Sequence, residues 1–158
     1  MVGGGGNLTG QGGGATVFSG TAGGAGTGAP ITITQNGNVL VTGLNSFGIH
    51  AQSQGGTGNS NITATIVAGT TIIGGSGLGG AVGFLNGLNN RLINNGVATS
   101  VLGIDGYAMR ATSGNDTFDN FNTAVGSVDL GAGANAFNNK SAGIFLMGAN
   151  VALGPALY

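Results

Sequence analysis

The sequence predicts an all-β solenoid, in which short parallel strands are joined by coiling and each lies against its counterpart one turn earlier. Three observations predict it. An apolar side chain between two small amides or acids returns three times, as Asn90-x-Leu92-x-Asn94, Asp116-x-Phe118-x-Asn120 and Asn135-x-Phe137-x-Asn139. Leu92 to Phe118 is 26 residues and Phe118 to Phe137 is 19, so a unit of variable length is held in register by one apolar residue and its polar neighbours. Of 158 residues, 37 are Gly and 41% are hydrophobic, yet only 4% are charged, against roughly 25% in an average soluble domain. Helix formers such as Lys and Arg are nearly absent and two-residue hairpin signals are few, which leaves coiling as the economical way to join strands without crossover helices.

The elements follow in chain order. Residues 1–30 are read as a Gly-rich N-terminal segment (a cap, wide turns or flexible chain) with one strand-like patch, Thr16-Val17-Phe18, and residues 31–158 as the coils. Ile31-Thr32-Ile33-Thr34 alternates at period two, Asn36-Gly37 is a turn pair, and Val39-Leu40-Val41 follows. In Phe47–Ser53 the odd positions share one face, while His50 and Gln52 share the other with Gln54. Further strands are expected at 61–68, 70–73, 81–85, 91–93, 97–102, 107–111, 117–121, 124–130, 136–137, 143–147 and 151–153. Asn tolerates left-handed backbone angles and can bond to an identical amide one coil away, so Asn89-Asn90, Asn94-Asn95 and Asn138-Asn139 are expected to form corner ladders. The seven Phe residues are expected to stack as fillers of a narrow core.

Charge excludes several function classes. The charged side chains are Arg91, Arg110, Lys140, Asp105, Asp116, Asp119 and Asp129, and none precedes Arg91. A net charge of −1 with three cations gives no electrostatic footprint for nucleic acid or anionic lipid. Without cysteine there are no disulfides and no Cys-ligated metal. The N-terminus, Met1-Val2-Gly3-Gly4-Gly5-Gly6, lacks the basic and apolar segments of a signal peptide. The uncharged stretch 67–85 is long enough to span a membrane, but seven of its 19 residues are Gly, so it reads as strands and turns and no membrane insertion is expected.

No catalytic, cofactor-binding or metal-binding residue is assigned, and the chain is not expected to be an enzyme. Asp116 and Asp119 are the closest acidic pair, but odd spacing on a strand sends them to opposite faces. Asp105 and Arg110 can meet around Gly106 as a surface ion pair, and His50 has no acidic or hydroxyl partner in its local sequence. No phosphate-loop pattern precedes Lys140-Ser141. The Asn-x-Ser/Thr triplets at Asn7, Asn61, Asn115 and Asn139 are expected by chance in so Asn- and Thr-rich a chain.

Two segments carry a resemblance. Gly48-Ile49-His50-Ala51-Gln52-Ser53-Gln54-Gly55-Gly56 resembles the Gly-Ile-x-Ala-Gln-Ser-x-Gly-Gly segment that recurs in long bacterial autotransporter passenger proteins. Gly114-Asn115-Asp116-Thr117-Phe118 and residues 128–137 are similar to repeats of the same family, so that the likeness runs over about residues 31–153. It implies a right-handed parallel β-helix, exported across the outer membrane and displayed at the cell surface or secreted. The missing export signal and membrane barrel would make the chain an excised segment, a processed fragment or a stand-alone relative. Gly114–Phe118 also resembles one unit of the calcium-binding nonapeptide repeat. That site needs consecutive copies, and Gly133-Ala134-Asn135-Ala136-Phe137 has no carboxylate, so no cofactor is expected.

The resemblance and the pattern together imply a stalk or adhesin scaffold without catalysis. The alternatives are a self-assembling extracellular fibre that polymerises through solenoid ends or strand donation, and a glycan-binding module with Tyr107 as stacking residue. Expected partners are a second copy, end to end, and a host or surface glycan or protein. Ice binding would need longer Thr rows than Thr32/Thr34 and Thr63/Thr65 supply.

Overall fold

Alternation of apolar with small polar residues sets the strands. In β3 (Ile31–Gln35) Ile33 and Gln35 point inward, with Thr32 and Thr34 on the other face; β6 (Ile62–Ile66) repeats this with Ile62, Ala64 and Ile66 buried. The computed structural model describes residues 7–10, 16–19 and 26–154. The remaining strands are β1 (Asn7–Gly10), β2 (Thr16–Ser19), β4 (Val39–Leu40), β5 (Phe47–Ser53), β7 (Thr71–Gly74), β8 (Gly80–Asn86), β9 (Asn89–Asn94) and β10 (Val97–Ser100). After a 3₁₀ turn at Gly103–Asp105 come β11 (Tyr107–Ala111), β12 (Asn115–Asn120), β13 (Thr123–Asp129), β14 (Ala136–Asn139) and β15 (Ile144–Ala152). The expected division at residue 30 falls largely outside the described residues, although β1 pairs with β3 and β2 with β5.

Two sheets result. One has the order β1-β3-β6-β9-β12-β14; the other runs β2-β5-β8-β11-β13-β10-β7-β4, with β15 added on β13. Every ladder among the described residues is parallel. The three Asn/Asp-x-apolar-x-Asn units stand in register, Leu92 on Phe118 and Phe118 on Phe137. Between the sheets Ile33, Ile49, Ile62, Ile66, Ile72, Phe84, Leu92, Met109, Phe118 and Leu130 are fully buried.

Tight corners let the walls close on this core. A Cβ on Gly74 would lie 1.6 Å from the Gly80 carbonyl oxygen, so only glycine lets the two segments touch there. Asn86 and Gly87 turn the chain with φ of 58° and 84°, the left-handed region that Asn and Gly tolerate best.

The expected right-handed parallel β-helix, or β-solenoid, is corrected at β13. A regular β-solenoid keeps its ladders as separate faces. In this chain Thr123 and Ala124 pair with β10, while Ser127, Val128 and Asp129 pair with β11. The segment contains no corner residue except Gly126, whose φ of 113° bends the strand without ending it. One strand thus serves two arms, the nine-stranded sheet folds back on itself, and with the six-stranded sheet it makes a near-closed parallel β-barrel around the core. All-β architecture and parallel pairing stand.

Compactness corrects the functional expectations tied to the solenoid. The accessible surface is 7313 Å², close to the roughly 7,000 Å² of a compact protein of 15.0 kDa. A compact, near-closed domain is not an elongated stalk or adhesin scaffold, and a fibre of stacked solenoid ends loses its geometric basis with it. The likeness to autotransporter passengers therefore stops at short motifs.

Two expectations about side chains also change. Phe84 and Phe118 fill the core and Phe137 and Phe145 pack against it, but Phe121 is 41% exposed. Phe47 lies outside, its ring centroid 5.3 Å from that of His50, because glycine at position 83 leaves the sheet surface open beneath it. Gly143–Met147 and Val151–Leu153 are expected as two strands. They merge into β15, whose register slips against Gly126 and Val128.

Candidate functional site

The corner amides form two files, buried at residues 90, 94, 116 and 120, that run toward the last strands and reach the surface at Asn139. Asn94 Nδ2 donates to Asn120 Oδ1 at 2.7 Å, and Asn120 Nδ2 donates to Asn139 Oδ1 at 2.7 Å. Residues 94, 120 and 139 share a register position on β9, β12 and β14, which is why three asparagines far apart in sequence meet. At the other end of these strands Asn90 Nδ2 donates to Asp116 Oδ1 at 2.9 Å, and the Asp116 N–H donates to Asn135 Oδ1 at 2.7 Å.

Asp116 replaces an amide in this second file. Its side chain is fully buried, and its Oδ2 has no hydrogen-bond partner among the described residues. Burial pushes its pKa up to about 6, against the smaller lowering effect of the Asn90 hydrogen bond. Asp119 faces the opposite side of β12, as the odd spacing predicts, and is the one acid held by two cations. Arg91 Nη2 lies 2.7 Å from Oδ2 and Lys140 Nζ 2.8 Å from Oδ1, while Asn138 Nδ2 donates to Oδ1 at 2.9 Å. Burial alone would raise its pKa, but the hydrogen bonds of Lys140, Asn138 and Arg91, with the charge of Arg91, hold it at about 2. Lys140→Ala should raise the Asp119 pKa, measured by carboxyl-carbon NMR titration. It should cost under about 1 kcal/mol of stability, since both cations stay substantially exposed to solvent.

Both files reach an end of the domain that is uncapped among the described residues. β14 pairs only with β12, and β15 only with β13. The Phe118–Phe137–Phe145 stack, with centroid separations of 5.0 and 4.6 Å, carries the core out to this end. On β15, Ile144, Leu146 and Met147 are at least half exposed (54%, 50% and 57%). Neither β14 nor β15 contains a charged residue or a proline, the usual devices that blunt a free strand edge.

The other residues singled out from sequence do not converge. Arg110 does not pair with Asp105; its Nη2 lies 3.6 Å from Asp129, directly opposite it in the β11–β13 register. Its guanidinium also sits 4.9 Å from the centroid of Tyr107, so one face of the proposed stacking ring is occupied. His50 packs against Phe47, its pKa lowered by burial. Among the described residues no group of three His, Asp, Glu or Cys side chains gathers, and no helix is long and apolar enough to cross a membrane. The exposed row of β15 was open to sequence reading as Ile144-Phe145-Leu146-Met147, an apolar run too long for a strand with one buried face. No family model matches the sequence, and neither a curated protein nor a solved structure matches it.

Proposed function

We propose that this domain is a non-catalytic structural module that assembles with another protein molecule through its uncapped end. The observation that carries the reading is the last layer, β14 and β15, paired on one side only, uncharged and with half-exposed aliphatic side chains. Such an edge presents backbone N–H and C=O groups and apolar area together, which is the chemistry of strand addition. Three of the four aspartates are engaged, Asp119 by two cations, Asp116 by an amide through one oxygen and Asp129 by Arg110, and the fourth, Asp105, stands apart from them on the exposed 3₁₀ turn. An extracellular setting belongs to the same reading. All three basic residues are ion-paired, and two of them lie within strands, which leaves trypsin-like proteases little loose chain to grip.

Sedimentation velocity over a wide concentration range tests the reading. The expected result is a reversible rise in mass that Leu146→Lys shifts to higher concentration, because a charge on the edge must then be desolvated on pairing. A purely monomeric chain of 15.0 kDa at every concentration would sink it.

A further inference from the structure

Asparagine is followed by glycine three times, at Asn36-Gly37, Asn86-Gly87 and Asn95-Gly96. The pair carries its own chemistry: the glycine amide nitrogen is a nucleophile within reach of the asparagine Cγ, and no Cβ stands in its way. Attack needs that nitrogen stripped of its proton and free to swing onto the side chain. A glycine N–H held in a hydrogen bond resists this until the backbone opens locally. The fold holds two of the three. Gly87 is buried and its N–H donates to the Ser53 carbonyl oxygen at 3.0 Å, while Asn86 Nδ2 donates to Gln54 Oε1 at 3.1 Å. Gly96 is buried and its N–H donates to Asn94 Oδ1 at 3.1 Å, inside the amide file. The related Asp105-Gly106 pair is closed in the same way, the Gly106 N–H donating to the Gly103 carbonyl oxygen at 3.2 Å. Asn36 stands exposed at the bend between β3 and β4, and among the described residues neither its side chain nor the Gly37 N–H has a hydrogen-bond partner. Gln35 Nε2 donates to the Gly37 carbonyl oxygen at 2.7 Å, and Asn38 Oδ1 accepts from the Thr71 N–H at 2.8 Å. The groups on either side are tied, and the reacting pair between them is not.

We infer that Asn36 is a site of spontaneous covalent modification, deamidating through a cyclic imide while the fold preserves Asn86 and Asn95. Base removes the Gly37 N–H proton, and the nitrogen's electron pair forms a bond to the Asn36 Cγ. The Cγ–Nδ2 bond breaks, and ammonia leaves with a proton taken from solvent. Water then opens the imide at either carbonyl and leaves aspartate or isoaspartate at position 36. Water is the only other reactant, and nothing is oxidised or reduced. The product changes the charge map: a chain of net charge −1 gains a further negative charge, the first carboxylate ahead of Arg91. The isoaspartyl form also routes the main chain through the side chain, lengthening it by a carbon directly ahead of β4. There Val39 is buried and the Val41 N–H donates to the Ile73 carbonyl oxygen at 2.9 Å. The added carbon shifts this two-residue strand out of register with β7.

The test uses the wild-type chain, held in mildly alkaline buffer and sampled over days. Chymotryptic peptide mapping with electron-transfer fragmentation locates each conversion and tells isoaspartate from aspartate. Asn36 should convert at least about tenfold faster than Asn86 or Asn95, with a matching acidic species in isoelectric focusing. In concentrated urea all three should convert at rates within about threefold of one another, because each is followed by glycine and only the fold separates them. Conversion of native Asn86 or Asn95 as fast as Asn36 would overturn the inference. A preference for Asn36 that persists unchanged in urea would overturn it equally, by assigning the selectivity to local sequence. The isoaspartyl form, once separated, should show faster amide exchange at Val41 than the unmodified protein. Unaltered exchange there would overturn the displacement of β4.

Discussion

Replacing Asn120 by Ala is expected to lower stability by about 3 kcal/mol, a large share of the 5–15 kcal/mol typical of a small domain. The Asn120 side chain is fully buried. It accepts from Asn94 Nδ2, and the two N–H groups of its Nδ2 are shared among Asn139 Oδ1 and the carbonyl oxygens of Asn122 and Ile144. Truncation leaves an Asn94 amide proton facing a void, and an unsatisfied buried donor costs more than the net worth of the bond it lost. Asn115 makes a comparable contact to Asn89 at 3.0 Å, but in solvent. Asn115→Ala should therefore cost under about 1 kcal/mol. Urea denaturation of both variants decides the point, and equal losses would show that burial is not what gives the file its strength. The Asn120 variant should also loosen the last layer, because its lost bonds include those to Asn139 and Ile144.

Asp116→Asn is expected to do the opposite and stabilise the domain at neutral pH by up to about 3 kcal/mol, from a pKa of about 6 in the fold against 3.8 in the unfolded chain. The folded state binds the proton more tightly, so wild-type stability falls as pH rises from below 3.8 to above 6, where an ionised carboxylate is held in a buried site. Asparagine is nearly isosteric and neutral, and it matches Asn90 and Asn135 on either side. The gain should thus be near zero at pH 3.5 and full at pH 7.5. His50 acts in the reverse sense: burial lowers its pKa, so its contribution is lost as pH falls below 6.5. Comparing the two proteins at each pH cancels that contribution. A variant less stable than wild type at pH 7.5 would mean that the carboxylate is a required hydrogen-bond acceptor. Asp119, held at about 2, gives stability that is present above pH 3.8 and lost as pH falls toward 2, so the two acids of one strand act in adjoining pH windows with opposite signs.

Much of the wall was legible because its register is written in side chains. The spacings of 26 and 19 residues that align Leu92, Phe118 and Phe137 are the pairings of β9, β12 and β14. The alternation of Thr32/Thr34 and Thr63/Thr65 marks the outward face of β3 and β6. What could not be read is how the arms join. Residues 124–130 read correctly as a strand, but its halves answer to β10 and β11, and pairing with two neighbours leaves no local trace. Charge partners failed for the same reason. Asp105 is the nearer acid to Arg110 in sequence, yet register brings Asp129; Arg91 and Lys140 reach Asp119 only because three strands lie side by side. A local window sees neighbours along the chain, whereas a parallel sheet selects neighbours a full circuit away.

The uneven placement of ionisable groups has a further consequence. From β1 through β8 there is no lysine, arginine, aspartate or glutamate, and all seven stand at or after Arg91. Dissolved electrolyte can therefore act on the two halves unequally, screening the Arg91–Asp119–Lys140 cluster while meeting no opposing ions in the first half. Amide hydrogen exchange in low and high sodium chloride should show faster opening of β9–β15 in concentrated salt, with β3–β8 unchanged, a domain whose response to its medium is confined to one hemisphere.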